Sequence, residues 1–437
     1  MRSRKPRGGR AHAPSSLRSA EAKLDEAVGL ARAIDLDVLE SGIVPVADVR
    51  PSTYVGSGKV EEIAGLIKSI EAGLVVMDCA LSPVQQRNLE KAWNAKVLDR
   101  TGLILEIFGR RARTREGTLQ VELAHLTYQK SRLVRSWTHL ERQRGGFGFL
   151  GGPGETQLEA DRRLIEERIA RLEADLDKVK RTRKLHRLSR QRVPYPIVAL
   201  VGYTNAGKST LFNRLSRAKV LASDMLFATL DPTLRAVDLP HGARVILSDT
   251  VGFISDLPTM LVAAFRATLE EVVEADVILH VRDISHADAD AQSSDVQQIL
   301  QQLGIEIADN AGAAKLIEVW NKIDRLDGEG ADMLSNLAQR QPAGRRPMLI
   351  SALSGKGLDE LTLEIETRIA ATRVVLDLDL DSADGAGISW LHRNAEVLSK
   401  EFSAEGRLAV TVRVDPVNAG KVRAKFCAPE ASDDGSA

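Results

Sequence analysis

In the N-terminal part of the chain, segments with a helical spacing of apolar residues alternate with short, strand-like apolar runs. The helical spacing predicts helices at 24–34, 59–72 and 82–93, and the apolar runs predict strands at 38–46, 74–79 and 96–100. Such alternation is typical of a small α/β domain with a mainly parallel sheet. We therefore expect an N-terminal α/β domain over residues 21–109.

An apolar repeat with a period of seven residues follows this domain. It consists of Leu119, Leu126, Leu133 and Leu140 in one block and Leu158, Ile165, Leu172 and Val179 in the next. This spacing predicts two amphipathic helices that fold back on each other. The connector at 144–155 contains six glycines and is longer than a simple helix–helix turn requires. We expect an antiparallel helical hairpin over 110–192 with a glycine-rich tip loop.

Strand-like apolar runs return after Pro194 and Pro196, which end the second hairpin helix. We expect a second α/β domain over 193–372 and a small C-terminal α+β domain over 373–428. In the latter, the sequence predicts a strand at 376–381, a connection containing Gly385 and Gly387, a helix at 388–402 and a strand at 407–414. Residues 1–20 are expected to form a disordered basic tail, and residues 429–437 an acidic tail.

Composition narrows the class of protein. With 437 residues, 43% hydrophobic and 27% charged, the chain can bury several cores, which excludes collagenous, disordered and disulfide-scaffold proteins. Its apolar runs are far shorter than the roughly 20 residues of a membrane helix, and Cys79 and Cys427 suit free thiols in a reducing cytoplasm. The net charge is zero, but residues 1–20 and 181–192 each carry six Lys or Arg and no acidic residue. Such basic blocks indicate a surface that meets a polyanion.

The strongest chemical signal is a glycine-rich loop. Residues 197–209 read IVALVGYTNAGKS, in which an apolar strand leads into G-x-x-x-x-G-K-S and then into a helix. Glycines let backbone N–H groups close around phosphates, and a helix N-terminus favours negative charge. Lys208 is predicted to reach the β- and γ-phosphates, and Ser209 to bind Mg²⁺. The similar GSGK at 56–59 lacks a hydroxyl after its lysine and is expected to be a turn that caps the next helix.

Three further motifs follow in the order that one nucleotide site requires. In D-x-x-G, Asp249 can hold Mg²⁺ through water, and the Gly252 N–H can contact the γ-phosphate. In N-K-x-D, the Asp324 carboxylate can accept both N1–H and the 2-amino group of guanine, which adenine does not offer. Ser351 and Ala352 end a further strand and are predicted to contact the base oxygen. Together the motifs predict a guanine-nucleotide domain.

With these motifs, the chain resembles the HflX family of the Obg–HflX superfamily, which is related to translation factors. The resemblance covers about residues 25–426 and rests on DRTGLILEIFGRRARTREGTLQVELA (99–124) and GGFGFLGGPGETQLEADRRLI (145–165), with GYTNAGKST, FATLDPT (227–233), DTVGF and NKID. It implies a Ras-like, doubly wound P-loop GTPase domain at 193–372. It also implies that FATLD is the mobile first switch, with Thr229 as a Mg²⁺ ligand and Thr233 as the alternative.

Two residues bear on catalysis. Phe253 stands where many GTPases place a glutamine that orients the attacking water, so hydrolysis is expected to be slow without a partner, which matches the HflX family. Asn205 stands where some potassium-activated GTPases have a cation ligand, and a side chain that caps the loop is the alternative. The sequence therefore predicts Mg²⁺ as cofactor and GTP as substrate, and leaves K⁺ open.

The predicted site has three groups of residues. The catalytic group is Lys208, Thr229 and Gly252, and the metal ligands are Ser209 and Thr229. The nucleotide-binding group is Gly202, Tyr203, Thr204, Asn205, Ala206, Gly207, Lys208, Ser209, Phe227, Ala228, Thr229, Leu230, Asp231, Asp249, Thr250, Val251, Gly252, Asn321, Lys322, Ile323, Asp324, Ser351, Ala352 and Leu353.

The resemblance implies a cytoplasmic protein that associates with the 50S ribosomal subunit and its RNA, in ribosome splitting, rescue or biogenesis. The tip loop, with Phe147 and Phe149, is predicted to approach RNA closely. We expect a monomer without integral membrane association. Arginines on the hairpin side suit a polyanion, namely Arg110, Arg111, Arg113, Arg115, Arg132, Arg135, Arg142 and Arg144.

Two other classes of protein are alternatives. A GTPase that modifies tRNA would need a reactive cysteine or a cofactor motif in the appended domains. A membrane-associated regulatory GTPase would need an amphipathic or lipid-modified anchor, and the C-terminal SDDGSA is not a lipidation motif. We find no sequence motif for either class, so both rank below the ribosomal interpretation.

Overall fold

The computed structural model describes residues 18–143, 153–190, 195–218, 226–227, 229–258, 269–305, 315–372, 374–381, 383–402, 407–414 and 416–426. Residues 1–17 of the predicted basic tail (1–20), the whole predicted acidic tail (429–437), most of the tip loop (144–152) and Ala228 lie outside these residues. Residues 18–20 do not belong to a disordered tail, contrary to our expectation. Ser19 caps the first helix, and Arg18 forms ion pairs with Glu26 and Asp295.

The N-terminal domain contains a parallel pair of strands. Its elements are α1 (Ala20–Arg32), α2 (Ser57–Ser69), β1 (Leu74–Met77), α3 (Pro83–Trp93), β2 (Lys96–Asp99) and α4 (Arg100–Arg111), and β1 pairs with β2. Gly56 caps α2, so the GSGK segment begins a helix as predicted. Our sequence analysis did not identify α4, although the buried residues Leu103, Ile104, Ile107 and Phe108 recur at helical spacing. This helix continues past residue 109, where we placed the domain boundary.

The strand predicted at 38–46 is wrong. Its apolar side chains Leu39, Ile43 and Val46 are 56%, 46% and 37% exposed, and the segment pairs with no strand in the described part of the chain. Pro45 lacks the N–H that a strand ladder needs, and Gly42 weakens extended structure. A short apolar run therefore remained an exposed connection.

The predicted helical hairpin is confirmed by α5 (Arg115–Gln143) and α6 (Pro153–Arg190). The ion pairs Glu122–Arg168 (2.6 Å) and Lys130–Glu166 (3.2 Å) join them, and this numbering requires an antiparallel arrangement. At 1.5 Å per residue, the 38 residues of α6 span about 57 Å. Within the described ranges, we find no helix that combines the length and apolar character needed to cross a membrane.

The second α/β domain has a six-stranded sheet with the strands β3 (Ile197–Gly202), β4 (Thr233–Asp238), β5 (Arg244–Asp249), β6 (Val277–Asp283), β7 (Leu316–Asn321) and β8 (Met348–Leu349). The order of the strands in the sheet is β4-β5-β3-β6-β7-β8. The strand β4 is antiparallel to β5, and the other neighbours are parallel. Apolar clusters cover both faces of the sheet. This is the doubly wound, Ras-like fold that we predicted, and ligands of such sheets bind at the carboxyl ends of the strands. The helices of this domain include α7 (Lys208–Ser216), α8 (Ala289–Gln302), α9 (Gly328–Gln339) and α10 (Leu358–Thr372).

The C-terminal domain contains an antiparallel sheet with the strands β9 (Val374–Asp381), β10 (Glu396–Phe402) and β11 (Arg407–Val414), in the order β10-β11-β9. Helices pack against this sheet. The predicted helix at 388–402 is partly wrong, because it ends at Asn394 and residues 396–402 pair with the next strand. Gly385 and Gly387 begin a helix instead of lying in a connection, since Asp384 accepts the Gly387 N–H at 2.8 Å and caps the helix. The helices of this domain are α11 (Gly385–Asn394) and α12 (Pro416–Phe426) in the described residues.

Candidate nucleotide-binding site

The glycine-rich loop joins the buried strand β3 to the N-terminus of α7. Gly202 has a φ of +152°, and a Cβ there would lie 2.1 Å from the carbonyl oxygen of Val281 on β6. Gly207 has a φ of +95°, and its Cβ would lie 2.2 Å from Asn321 Nδ2. Asn205 is exposed and has a φ of +58°, a left-handed conformation that asparagine tolerates. The loop thus packs closely on β6 and β7. The N-terminus of α7, which can bind an anion, lies at the carboxyl ends of the strands.

Lys208 is buried under this loop. Its Nζ donates to the carbonyl oxygens of Gly202 (3.1 Å) and Tyr203 (2.8 Å). Burial lowers the pKa of Lys208 to about 8, although the Asp249 carboxylate acts in the opposite direction. A partly desolvated ammonium attracts phosphate oxygens more strongly than an exposed one, because less solvent screens the charge.

Three side-chain oxygens meet beside the loop. Ser209 Oγ lies 3.0 Å from Thr229 Oγ1, and these hydroxyls lie 2.8 and 3.1 Å from Asp249 Oδ2. Burial raises the pKa of Asp249, and its Oδ1 has no hydrogen-bond partner among the described residues. Hydroxyl and carboxylate oxygens are the ligands that Mg²⁺ prefers, so this donor set fits that ion. The geometry favours Thr229 over Thr233, whose backbone lies opposite Asp249 in the strand ladder.

Gly252 lies against the phosphate loop. A Cβ at this position would be 2.9 Å from Thr204 Cγ2 and 3.1 Å from Lys208 Nζ. The next residue, Phe253, is tied to the loop through its backbone, since its N–H donates to Gly202 (3.1 Å) and its carbonyl oxygen accepts from the Thr204 N–H (2.7 Å). Its ring is 1% exposed and belongs to the apolar core. A buried phenyl ring cannot orient a water molecule at the phosphate.

The guanine motif follows β7. Asn321 is buried and bridges two loops, because its Nδ2 donates to the Ala206 carbonyl and its Oδ1 accepts the Ala352 N–H, both at 2.9 Å. Lys322 has a φ of +67° and forms a 2.7 Å ion pair with Asp283. Asp324 is exposed in the short 3₁₀ turn that follows. The bridge made by Asn321 therefore fixes the distance between the phosphate loop and the base motif.

Ser351 and Ala352 hold their own loop together. The Ala352 N–H donates to Asn321, and the buried Ser351 Oγ accepts the Ser354 N–H at 3.0 Å. Leu353, which follows them, is 73% exposed. The contact of Ser351 and Ala352 with the base oxygen thus stays a prediction.

Several predicted nucleotide-binding residues direct their side chains elsewhere. Phe227 and Leu230 are each 3% exposed and belong to the core shared with α4, and Val251 is also buried in that core. Tyr203 donates its hydroxyl to Glu26, and Asp231 accepts hydrogen bonds from residues 113 and 114. Sequence reasoning grouped them with the nucleotide site because they adjoin its motifs. In the structure, these side chains connect the GTPase domain to the N-terminal half.

A buried polar cluster that no motif reveals joins the two domains. Glu26 accepts hydrogen bonds from Arg100 Nη2 (2.6 Å), Ser255 Oγ (2.9 Å) and the Tyr203 hydroxyl. Arg100 also donates to the Ser255 carbonyl at 2.8 Å, and the Ser255 N–H donates to the Tyr203 hydroxyl at 2.8 Å. Burial acts to raise the pKa of Glu26, but Arg100, Tyr203 and Arg18 outweigh it and hold that pKa below its usual range. Both helices that carry Glu26 and Arg100 contain several other charged residues, so their sequences contain no signal for this cluster.

The arginines assigned to an RNA-facing surface do not all face outward. Arg132 forms a 2.6 Å ion pair with Asp99, which is 2% exposed. Arg110 pairs with Asp35 at 3.0 Å, and Arg111 donates to the Ala33 carbonyl at 3.1 Å. Asp99, Asp35 and Ala33 all precede the hairpin in the chain, so the hairpin sequence alone does not reveal these contacts. The side chains of residues 135, 142 and 144 lie outside the described part of the chain.

Comparison with known proteins decides the family. Family models match the chain in order, described as GTP-binding GTPase N-terminal (21–109), GTP-binding GTPase Middle Region (111–190), 50S ribosome-binding GTPase (197–322) and HflX C-terminal domain (326–434). The GTPase HflX of Magnetococcus marinus is 50% identical over 400 residues, which cover 92% of this chain and 90% of that protein. The chain belongs to the HflX family of GTPases.

A second relative, similar in sequence, agrees with this assignment. The GTPase HflX of Escherichia coli is 43% identical over 368 residues, or 84% of each chain. The crystal structure of a GTP-binding protein from Sulfolobus solfataricus in complex with GDP is 24% identical, with a TM-score of 0.42, and the match covers 79% of this chain and 95% of that one. As a member of the HflX family, the protein is a GTPase that binds and hydrolyses GTP.

Proposed function

We propose that this HflX-family GTPase acts as a monomer on the 50S ribosomal subunit, in ribosome splitting, rescue or biogenesis. The observation that carries the proposal is the match of residues 197–322 to the model described as a 50S ribosome-binding GTPase. The helix α6 also supports the proposal, because it is about 57 Å long and extends into the basic block at 181–192. Ribosomal RNA is a polyanion that such a block can contact.

The site assigns distinct tasks to its residues. The N–H groups at the start of α7 bind phosphate oxygens, and Lys208 draws in the β- and γ-phosphates through its buried ammonium. Ser209 and Thr229 would hold Mg²⁺ directly and Asp249 through water, and the ion neutralises charge on the phosphates. The Gly252 N–H is the proposed contact to the γ-phosphate.

Base recognition rests on Asp324. We expect Asp324→Asn to weaken GTP binding by about 1–3 kcal/mol, or roughly 5- to 150-fold, and to favour xanthine nucleotides. The carboxylate accepts two N–H groups of guanine, whereas the amide can donate to the 2-oxo group of xanthine. Competition between GTP and xanthosine triphosphate measures the change, with Asp332→Asn on the exposed face of α9 as the matched control. Unchanged GTP affinity without a gain for the xanthine nucleotide would remove Asp324 from the site.

Asn205 is the proposed K⁺ ligand. Its exposed side chain lies in the phosphate loop, and we expect faster hydrolysis in KCl than in NaCl at equal ionic strength. Asn205→Gly keeps the left-handed conformation at φ +58° and should remove the difference between the two salts. Equal rates in the two salts for the parent protein would leave Asn205 as a loop-capping residue.

Co-sedimentation with purified 50S, 30S and 70S particles tests the proposed function. We expect binding to 50S particles with a non-hydrolysable GTP analogue and weaker binding with GDP. Parallel incubations with tRNA and with anionic lipid vesicles cover the two alternative classes. Binding to tRNA or vesicles in place of 50S particles would overturn the proposal.

A further inference from the structure

The first switch is anchored on the N-terminal half of the protein by apolar contacts. Phe227 packs edge-to-face on Phe108 of α4, with ring centroids 4.8 Å apart and an interplanar angle of 81°. Phe227 has a φ of +55°, and Leu230 is buried in the same core. Phe227, two positions before Thr229, is therefore packed on α4, and Leu230, the residue after Thr229, lies in the apolar core that includes α4.

A polar contact continues this anchor. Asp231 Oδ2 accepts the N–H groups of Arg113 and Thr114, both at 2.8 Å, and its Oδ1 accepts from Thr114 Oγ1 at 2.6 Å. Thr114 Oγ1 in turn accepts the Gly117 N–H of α5 at 3.0 Å. The Asp231 carboxylate thus binds at the N-terminus of α5, where backbone N–H groups favour a negative charge.

Asp231 lies two positions after Thr229 in the chain, with Leu230 between them. Thr229 Oγ1 lies 3.0 Å from Ser209 Oγ and 3.1 Å from Asp249 Oδ2. We propose that Asp231 is a positioning residue for GTP hydrolysis, which holds Thr229 at the Mg²⁺ site by binding the N-terminus of α5. This inference rests on the proposed role of Thr229 as a metal ligand. A free switch would sample many positions for Thr229, whereas the anchored switch holds the hydroxyl near its partners.

Gly117 supplies a test that leaves the nucleotide site intact. A Cβ at this position would lie 2.4 Å from Asp231 Oδ1, so Gly117→Ala must displace the carboxylate. Alanine is the better helix former, so the substitution should not weaken α5 itself. Gly109→Ala on α4 is the matched control, because a Cβ at residue 109 meets no atom within 4 Å.

We expect Gly117→Ala and Asp231→Ala to lower kcat by about 10- to 100-fold, since a misplacement of about 1 Å can cost that much. The Mg²⁺ concentration for half-maximal hydrolysis should rise, while GDP affinity stays near that of Gly109→Ala. Switch contacts to Mg²⁺ and the γ-phosphate belong to the GTP state. A variant that was simply unfolded would lose GDP affinity as well, so impaired hydrolysis with normal GDP affinity indicates a defect in the switch. Asp231→Asn keeps one acceptor oxygen and should recover part of the rate.

Thr229→Ala separates this inference from the proposed function. If Thr229→Ala hydrolyses GTP normally, the assignment of Thr229 as a metal ligand fails. If it is impaired while Gly117→Ala and Asp231→Ala match Gly109→Ala in kcat and Mg²⁺ dependence, the positioning role of Asp231 is overturned. We expect the double variant Thr229→Ala/Asp231→Ala to be no slower than Thr229→Ala, because both changes remove the same contribution.

Discussion

Purified 50S subunits are expected to accelerate GTP hydrolysis by about 10³–10⁵-fold, the factor that an arginine finger in other GTPases contributes. The reason lies at position 253. The Phe253 ring is 1% exposed in the apolar core, and its backbone is bonded to the phosphate loop on both sides. Neither the ring nor its backbone is free to orient the attacking water. The ribosome is then the proposed source of the group that completes the site.

Single-turnover hydrolysis with the protein in excess over GTP measures this effect. The 30S subunit serves as the control, because it has the same kind of polyanionic surface without being the proposed partner. Phe253→Gln should not replace the ribosome, since a glutamine in that buried position would face the core. Fast hydrolysis by the protein alone, or equal rates with and without 50S subunits, would contradict the prediction.

The phosphate loop could be predicted from the sequence because its chemistry is local. Gly207, Lys208 and Ser209 adjoin one another at the start of α7, and the strand before them sets their place at the sheet edge. The side-chain directions of Phe227 and Asp231 could not be predicted, since they depend on helices far away in the sequence. Asp231 binds backbone N–H groups 117 and 118 positions earlier in the chain.

Contacts with residues that are distant in the chain also explain errors in the predicted elements. Residues 396–402 continue a helical spacing, but pairing with β11 makes them a strand. The segment at 38–46 has the apolar run of a strand but lacks a pairing partner among the described residues. Arg132 has the spacing of a surface residue on α5, but its guanidinium forms an ion pair with the buried Asp99. Tertiary partners decided the cases of residues 396–402 and Arg132, and the local spacing of residues does not reveal such partners. In the segment 38–46, Pro45 and Gly42 in addition disfavour a strand.

Replacement of Lys208 by alanine is expected to remove useful GTP binding. Its buried ammonium is the proposed partner of the β- and γ-phosphates, and truncating one partner of a buried charge pair costs about 2–5 kcal/mol, or roughly 30- to 5000-fold in Kd. Titration with a fluorescent GTP analogue measures the loss. Lys208→Met retains the apolar stem and isolates the contribution of the charge.

The loss of GTP binding in the Lys208 variants should be distinguishable from a loss of folded structure. Burial lowers the pKa of Lys208 to about 8 from an ordinary value of 10.5, so the charged form is less stable in the folded chain than in the unfolded one. Between these two values the unfolded chain binds more protons, so stability attributable to this group rises with pH across that window. Lys208→Met should lose this dependence of stability on pH. We also expect the variant to remain folded, because the Gly202 carbonyl oxygen still accepts the Phe253 N–H at 3.1 Å after the lysine ammonium is removed. A folded Lys208→Met protein with the GTP affinity of the parent would refute the assignment of the phosphate loop.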